Sequence, residues 1–208
     1  MNQIFCFIGL PASGKGTQAM SFAEERGFSH ISIGDLVRSE LKNETGDKEF
    51  KKTIKDLYDA GKPVTDAIVF KLLENKLATV IGGVVFDNFP FNKAQADFLF
   101  KYCESHKWEM PKVIYIKIDP ESAIKRISSR RICPDCKSVF IGGETCEKCG
   151  ARLITRSDDN EETVRKRITN YMPNIEEVIA IFKPKNLLFE IDGEPSIDEV
   201  KKQVSQIQ

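Results

Sequence analysis

The sequence predicts an α/β fold, a doubly wound parallel sheet in three layers. Three observations carry that expectation. Five short apolar runs, rich in β-branched and aromatic residues, recur along the chain. Helical patterns fill the gaps between them. A glycine-rich turn joins the first apolar run directly to the first helical pattern.

The run Ile4–Ile8 reads as a strand buried on both faces of a sheet. No basic residue precedes it and the turn follows at once, so a signal-peptide core is the poorer reading of Ile4 to Leu10. Lys15 to Glu25 forms the first helix, and Phe28–Ile31 a short second strand. Residues 32–65 are helical and polar and interrupt the alternation. Asp66 to Ala78 places Ile68, Leu72, Leu73 and Leu77 at three- and four-residue steps, the spacing of one helix face. Val84–Asp87 and Val113–Ile118 are the third and fourth strands. Asp119-Pro120 is an N-cap followed by proline at the first helical position. Residues 129–159 hold four cysteines and the pair Gly142-Gly143, a second interruption. Asp159 with Glu162 resembles a capping box. After it Val164, Ile168, Tyr171, Ile175, Val178 and Phe182 continue at helical steps, across a proline, Pro173, that should kink or divide the helix. Leu187–Ile191 is the fifth strand. The expected organisation is one core domain from 1–31, 66–128 and 160–208, carrying insertions at 32–65 and 129–159.

Composition narrows the function. The 208 residues include 31 Lys plus Arg and 31 Asp plus Glu, so charge gives no reason to expect nucleic acid or an anionic membrane as partner. No apolar run approaches the ~20 residues of a membrane span. A cytoplasmic, monomeric protein is expected, with its six cysteines as thiols or metal ligands. His30 and His106 are not spaced as ligands or as a catalytic pair, and Trp108 falls in a loop; none is assigned a role.

The turn itself reads Gly9-Leu-Pro-Ala-Ser-Gly14-Lys15-Gly16-Thr17. Glycines allow backbone N–H groups to turn toward phosphate oxygens, the helix N-terminus adds a positive dipole end, and Lys15 supplies a cation for the β- and γ-phosphates. This is a P-loop, although Gly16 stands where the generic motif has Ser or Thr, and the hydroxyl moves to Thr17. A nucleoside triphosphate is the expected ligand.

Gly14-Lys-Gly-Thr-Gln18 resembles the nucleoside monophosphate kinases. Ile31-Ser-Ile-Gly-Asp35-Leu-Val-Arg38 and Asp59-Ala-Gly-Lys-Pro-Val-Thr-Asp66 resemble the segments that open and close the monophosphate-binding insertion of adenylate kinases. Phe86-Asp87-Asn-Phe-Pro90 resembles that family's Asp-Gly-Phe-Pro turn, with Gln95 where the family keeps an adenine-reading glutamine. Arg126, Arg130 and Arg131 lie where the family puts arginines at the lid edge, and Thr155-Arg156-Ser-Asp158-Asp159 with Arg165-Lys-Arg167 resembles the lid exit. Ile191-Asp-Gly193 resembles the loop against the ATP adenine. The resemblance runs nearly end to end, and the long, cysteine-bearing lid is similar to that of the long-form members.

It implies a P-loop fold with a five-stranded sheet, a helical monophosphate-binding insertion and a small zinc-ribbon-like lid. It implies ATP on Ala12, Ser13, Gly14, Lys15, Gly16, Thr17, Arg126, Arg130, Val139, Phe140 and Pro195. The monophosphate would meet Ile33, Arg38, Lys62, Pro63, Val64, Asn88, Phe91, Gln95, Arg156 and Arg167. Lys15, Arg130, Arg156, Arg167 and Asp87 would be catalytic, Asp87 through a water of Mg²⁺, and Asp158 and Asp159 would pin the closed lid. Phosphoryl transfer needs alignment and positive charge more than covalent help, which such an arginine set supplies.

Four positions depart from the family pattern: Ala12 and Asn88 for glycines, Ile33 for a threonine near the acceptor base, and Phe91 for an arginine that grips the acceptor phosphate. A weaker hold on AMP and a broader choice of monophosphate are expected, unless Lys93 reaches the phosphate or the loop is rebuilt around Phe91 as an apolar wall.

Cys133-Pro-Asp-Cys136 and Cys146-Glu-Lys-Cys149 are two C-x₂-C knuckles. Four thiolates close a tetrahedral site and leave no open position, so the metal is structural. Zn²⁺ is expected; Fe²⁺ or a disulfide pair are the alternatives. Cys6 and Cys103 read as packing residues. The leading function is ATP plus AMP to two ADP. A kinase for another monophosphate, a zinc-ribbon nucleic-acid binder and a catalytically weakened nucleotide sensor are the competing readings.

Overall fold

The computed structural model describes residues 2–42, 47–60, 62, 64–77, 80, 82–155 and 159–207. Among these, strands β1 (Ile4–Ile8), β2 (Ser29–Ser32), β3 (Val84–Asp87), β4 (Lys112–Lys117), β5 (Arg130–Ile132), β6 (Val139–Ile141) and β7 (Leu188–Asp192) alternate with helices. The helices are α1 (Lys15–Arg26), α2 (Ile33–Lys42), α3 (Lys48–Asp59), α4 (Asp66–Leu77), α5 (Lys93–His106), α6 (Pro120–Ser129), α7 (Glu161–Phe182) and α8 (Ile197–Ser205). The main sheet has order β2-β3-β1-β4-β7, and every pairing in it is parallel. The five strands expected from the apolar runs are these five, three of them displaced by one residue. The helix expected over 66–78 ends its described part at Leu77; Ala78 lies outside the described residues.

The alternation of side chains along each strand sorts the core into two layers. Ile4, Cys6 and Ile8 of β1 join Val84 and Phe86 of β3 and Val113 and Tyr115 of β4 on one face, beneath α4, α5 and α7. Phe5, Phe7, Val85, Ile114 and Ile116 pack on the other, against Ala19 and Phe22 of α1 and Val200 and Val204 of α8. The central strands β1, β3 and β4 are buried on both sides and read as continuous apolar runs, whereas the edge strands β2 and β7 are only partly buried. Cys6 and Cys103 are fully buried in the first layer, and burial pushes both thiols up, Cys103 to about 11. That fits packing residues.

Local chemistry sets the helix ends. The Asp119 side chain accepts from the Glu121 N–H and Pro120 opens α6, as the dipeptide predicts. At α7 the capping expectation is corrected: Asn160, not Asp159, is the N-cap, its carbonyl accepting from the Thr163 N–H. Asp159 is committed elsewhere, to Arg130. Pro173 does not divide α7, which is assigned as one helix of 22 residues. Val164, Ile168, Ile175, Val178 and Phe182 bury one face along both sides of the proline, and this packing offsets the lost backbone bond. No helix among the described residues is long and apolar enough to cross a membrane.

The segment 32–65 carries α2 and α3, whose Ile33, Val37 and Ile54 share the first core layer with Ile68, Val69 and Leu73 of α4. In the segment 129–159, β5 and β6 form an antiparallel hairpin in which Arg130 faces Ile141 and Ile132 faces Val139. A small satellite cluster of Cys133, Cys146 and Leu153 lies under it.

Candidate active site

A cleft of about 570 Å³ opens where the C-terminal ends of β1 and β3 meet the two insertions. One end is the P-loop. Ala12, Ser13, Gly14, Lys15, Gly16 and Thr17 all line it, and Gly14 caps α1 with a left-handed φ of 91°. Lys15 lies back over the loop, its Nζ donating to the Leu10 carbonyl at 3.0 Å. Asp87, the last residue of β3, comes so close that a Cβ on Gly16 would sit 2.9 Å from its Oδ2. Glycine after the lysine therefore leaves room for the Asp87 carboxylate, which a Cβ would push aside. It answers the departure from the generic motif.

Among the described residues, the Ser13 hydroxyl and Asp87 Oδ1 are two of three buried side-chain polar atoms without a hydrogen-bond partner. Both line the cleft. Buried polar atoms are rarely left unpaired, so the pair marks a place built to meet polar ligand atoms.

The two glycine replacements are conformationally informative. Ala12 adopts φ +59° and Asn88 φ +65°, the left-handed region that glycine enters freely. Asparagine tolerates it, whereas alanine is strained there.

The loop after β7 and the hairpin close the far side. The Arg126 guanidinium donates to the carbonyls of Gly193 and Glu194 at 2.9 and 3.1 Å, bracing Pro195 at the cleft edge. Arg130 is held in a two-pronged pair with Asp159, whose side chain is fully buried; one of its two bonds runs from Nε to Oδ2 at 2.7 Å. Val139 and Phe140 line the same wall.

At the other end, Ile33, Arg38, Lys62, Val64, Asn88, Phe91, Gln95 and Arg167 line the cleft. Arg38 pairs with Asp35 at 2.7 Å. Phe91 is 9% exposed and meets the Tyr171 ring edge-on, centroids 4.7 Å apart. The Arg167 guanidinium stands 5.6 Å from the same tyrosine's centroid. The loop is thus an apolar wall around Phe91. Lys93 turns away to Asp97 at 2.7 Å and does not line the cleft. Of the predicted residues, Pro63, Arg156 and Asp158 lie outside the described ones; every other predicted nucleotide contact lines this one cleft. Sequence reasoning missed Tyr171, which its helical stripe presents as a core residue, and Asp66, discussed below.

The four cysteine sulfurs lie within 4.8 Å of one another. Cys133 and Cys149 Sγ are 3.4 Å apart, and Cys136 and Cys146 Sγ 3.5 Å, well beyond the ~2.05 Å of a disulfide. Tetrahedral sulfurs at ~2.3 Å from one Zn²⁺ would be about 3.8 Å apart, close to this spacing. The hydroxyl and N–H of Ser138 bring the Cys136 thiol down to about 6, whereas Cys149, although its sulfur meets the Ala151 N–H, is pushed up to about 12 by Cys133 and Cys146 beside it.

A P-loop at the tip of a parallel strand, a carboxylate on the neighbouring strand end and arginines converging from two insertions define a P-loop phosphotransferase. Comparison with known proteins supplies the family. Residues 7–187 match the family described as adenylate kinase. The chain is 35% identical to the adenylate kinase of Petrotoga mobilis, covering 97% of this chain and 95% of that one. It is 36% identical to those of Thermoanaerobacter sp. strain X514 (93% and 92%) and Elusimicrobium minutum (97% and 96%). The chain belongs to the adenylate kinase family, and is an enzyme of the nucleoside monophosphate kinase type.

Proposed function

We propose that this chain transfers the γ-phosphoryl group of ATP to AMP, giving two ADP. The observation that carries the reading is the continuity of the cleft: the P-loop and the acceptor-side residues Arg38, Lys62, Val64 and Gln95 share one cavity. In this reading the loop N–H groups and Lys15 hold the β- and γ-phosphates. A phosphate oxygen of AMP attacks the γ-phosphorus in line while the bond to the β-bridging oxygen breaks. Arg130, Arg156 and Arg167 spread positive charge over the moving group, with Arg38 on the acceptor phosphate. Closure of 32–65 and 129–159, as insertions on the core 1–31, 66–128 and 160–208, would exclude water from the reaction.

Mg²⁺ would accompany ATP and neutralise phosphate charge, and the unpaired Asp87 Oδ1 suits a hydrogen bond from its bound water. Zn²⁺ in the cysteine cluster would be structural, holding the hairpin that carries Val139 and Phe140. The reading includes a cytoplasmic monomer; the balanced charge supports only the part of it that leaves out nucleic acid and an anionic membrane as partners.

One observation favours a second reading, relaxed acceptor choice: Phe91 leaves the acceptor phosphate one charged contact short, and Ile33 offers no hydroxyl near the base. Measuring ADP formation with AMP, GMP, CMP, UMP and IMP decides between them. A clear AMP preference is expected, and equal rates across the panel would refute it.

A further inference from the structure

Gln95 lines the cleft yet is 2% exposed, and both ends of its carboxamide are engaged. Its Oε1 accepts from the Phe91 N–H at 2.7 Å. Its Nε2 donates to Asp66 Oδ1, also at 2.7 Å. The same Asp66 oxygen accepts from Asn92 Nδ2 at 2.8 Å, while Asn92 Oδ1 caps α5 on the Gln95 N–H at 2.9 Å. The network joins the first residue of α4 to the first turn of α5, Asp66 and Gln95 being 29 positions apart in the chain.

A free carboxamide has two nearly equivalent orientations, since its terminal torsion is broad and roughly two-fold. Here it has one. A carboxylate can only accept and a backbone N–H can only donate. The nitrogen of Gln95 must therefore face Asp66 and the oxygen must face Phe91. One N–H and one lone pair remain for a ligand in a fixed arrangement. Adenine presents an amino donor at N6 and an acceptor at N1. A 6-oxopurine presents the reverse, an acceptor at O6 and a donor at N1. An amide that cannot turn over suits only one of these two patterns at a given base position.

We propose that Asp66 is a specificity-determining positioning residue: by fixing which way the Gln95 carboxamide faces, it selects a 6-aminopurine monophosphate over a 6-oxopurine one. The proposal rests on the reading above that AMP is the acceptor and that Gln95 meets its base. Asp66 itself touches no substrate; it acts through Gln95, and Asn92 acts as a brace for Asp66. Phe91 has a part through its backbone alone.

The test compares kcat/KM for AMP and IMP, with the KM for ATP and thermal melting as controls, in wild type, Asp66→Ala, Asp66→Asn and Gln95→Ala. Both bonds to Asp66 end on a single oxygen, and asparagine keeps an equivalent one. Asp66→Asn should therefore retain the wild-type AMP/IMP ratio. Asp66→Ala should narrow that ratio by roughly tenfold or more, the effect of unpairing one buried polar group, while leaving the ATP KM unchanged. An unchanged ratio in Asp66→Ala, a loss shared equally by ATP and AMP, or an Asp66→Asn enzyme that behaves like Asp66→Ala would each overturn the proposal. Gln95→Ala separates the two levels of failure. An AMP-specific loss there with none in Asp66→Ala sinks the lock alone, and no loss in either sinks the reading that Gln95 meets the base.

Discussion

The two ends of the cleft are built from different materials. The donor end is mostly backbone: a turn of glycines, the first N–H groups of α1, and one lysine folded over the loop. The acceptor end is mostly side chain: Phe91 against Tyr171, Gln95 tied to Asp66, Arg38 on Asp35. A backbone site tolerates exchange of side chains that keep its dihedral angles. A side-chain site changes with each exchange. Three of the four departures from the family pattern, Ile33, Asn88 and Phe91, line the acceptor end. Ala12 and Asn88 still adopt the left-handed dihedrals of the glycines they replace, whereas Phe91 and Ile33 change what a ligand would meet.

The largest expected effect comes from the cation folded over the donor-end loop. Lys15→Met should lower kcat by at least a hundredfold with the melting temperature nearly unchanged, since it removes a preorganised cation and little packing. A folded variant with near-full turnover would break the assignment of the donor end.

An intermediate effect should appear at the acceptor end. Phe91→Arg should lower the KM for AMP by roughly tenfold, the size of one charge-assisted hydrogen bond, and leave the KM for ATP alone. It should also cost stability, because a buried ring against Tyr171 is lost. Lys93→Ala should change neither constant, as its ammonium is held by Asp97 on the surface. A large AMP-specific loss in Lys93→Ala would reverse the assignment of the acceptor grip.

The lid tests whether its own staple is separate from both ends. Cys133→Ser should remove the metal that elemental analysis is expected to find at one zinc per chain, and should lower the melting temperature more than it raises the KM for AMP. Metal-free wild type, purified without chelators, would contradict it.

The smallest effect belongs to Ala12→Gly. Relief of the left-handed penalty, about 1–2 kcal/mol, is offset by the roughly 0.4–1 kcal/mol that glycine adds to unfolded-chain entropy. A net stabilisation of at most about 1.6 kcal/mol, seen in chemical denaturation, is expected. Destabilisation would mean that Ala12 makes a contact its dihedral angle does not reveal.

The same division explains what could be read from the sequence. The central strands were legible because burial on two faces leaves continuous apolar runs, and the P-loop because its chemistry is local. Asp119 announced its cap through the proline beside it. Asp159 announced its pairing with an arginine only through the family resemblance, not through its local sequence. By spacing it resembles a cap, and only the fold brings Arg130, 29 residues away, onto its carboxylate. Pro173 suggested a break that burial on both sides overrode. The lock on Gln95 had no local signature, since Asp66 belongs to another helix and the bond between them exists only once α4 lies beside the turn that opens α5.

The contact between Gly16 and Asp87 also limits where this sequence can go next. The generic loop has a hydroxyl residue after the lysine, and a single substitution at Gly16 would make one. Its Cβ would start 2.9 Å from a carboxylate oxygen at the end of β3. The three nearest atoms it would meet all belong to the Asp87 side chain, so the carboxylate would have to turn aside. The two loop types are one letter apart, yet the exchange trades a hydroxyl for the place at which this carboxylate is held.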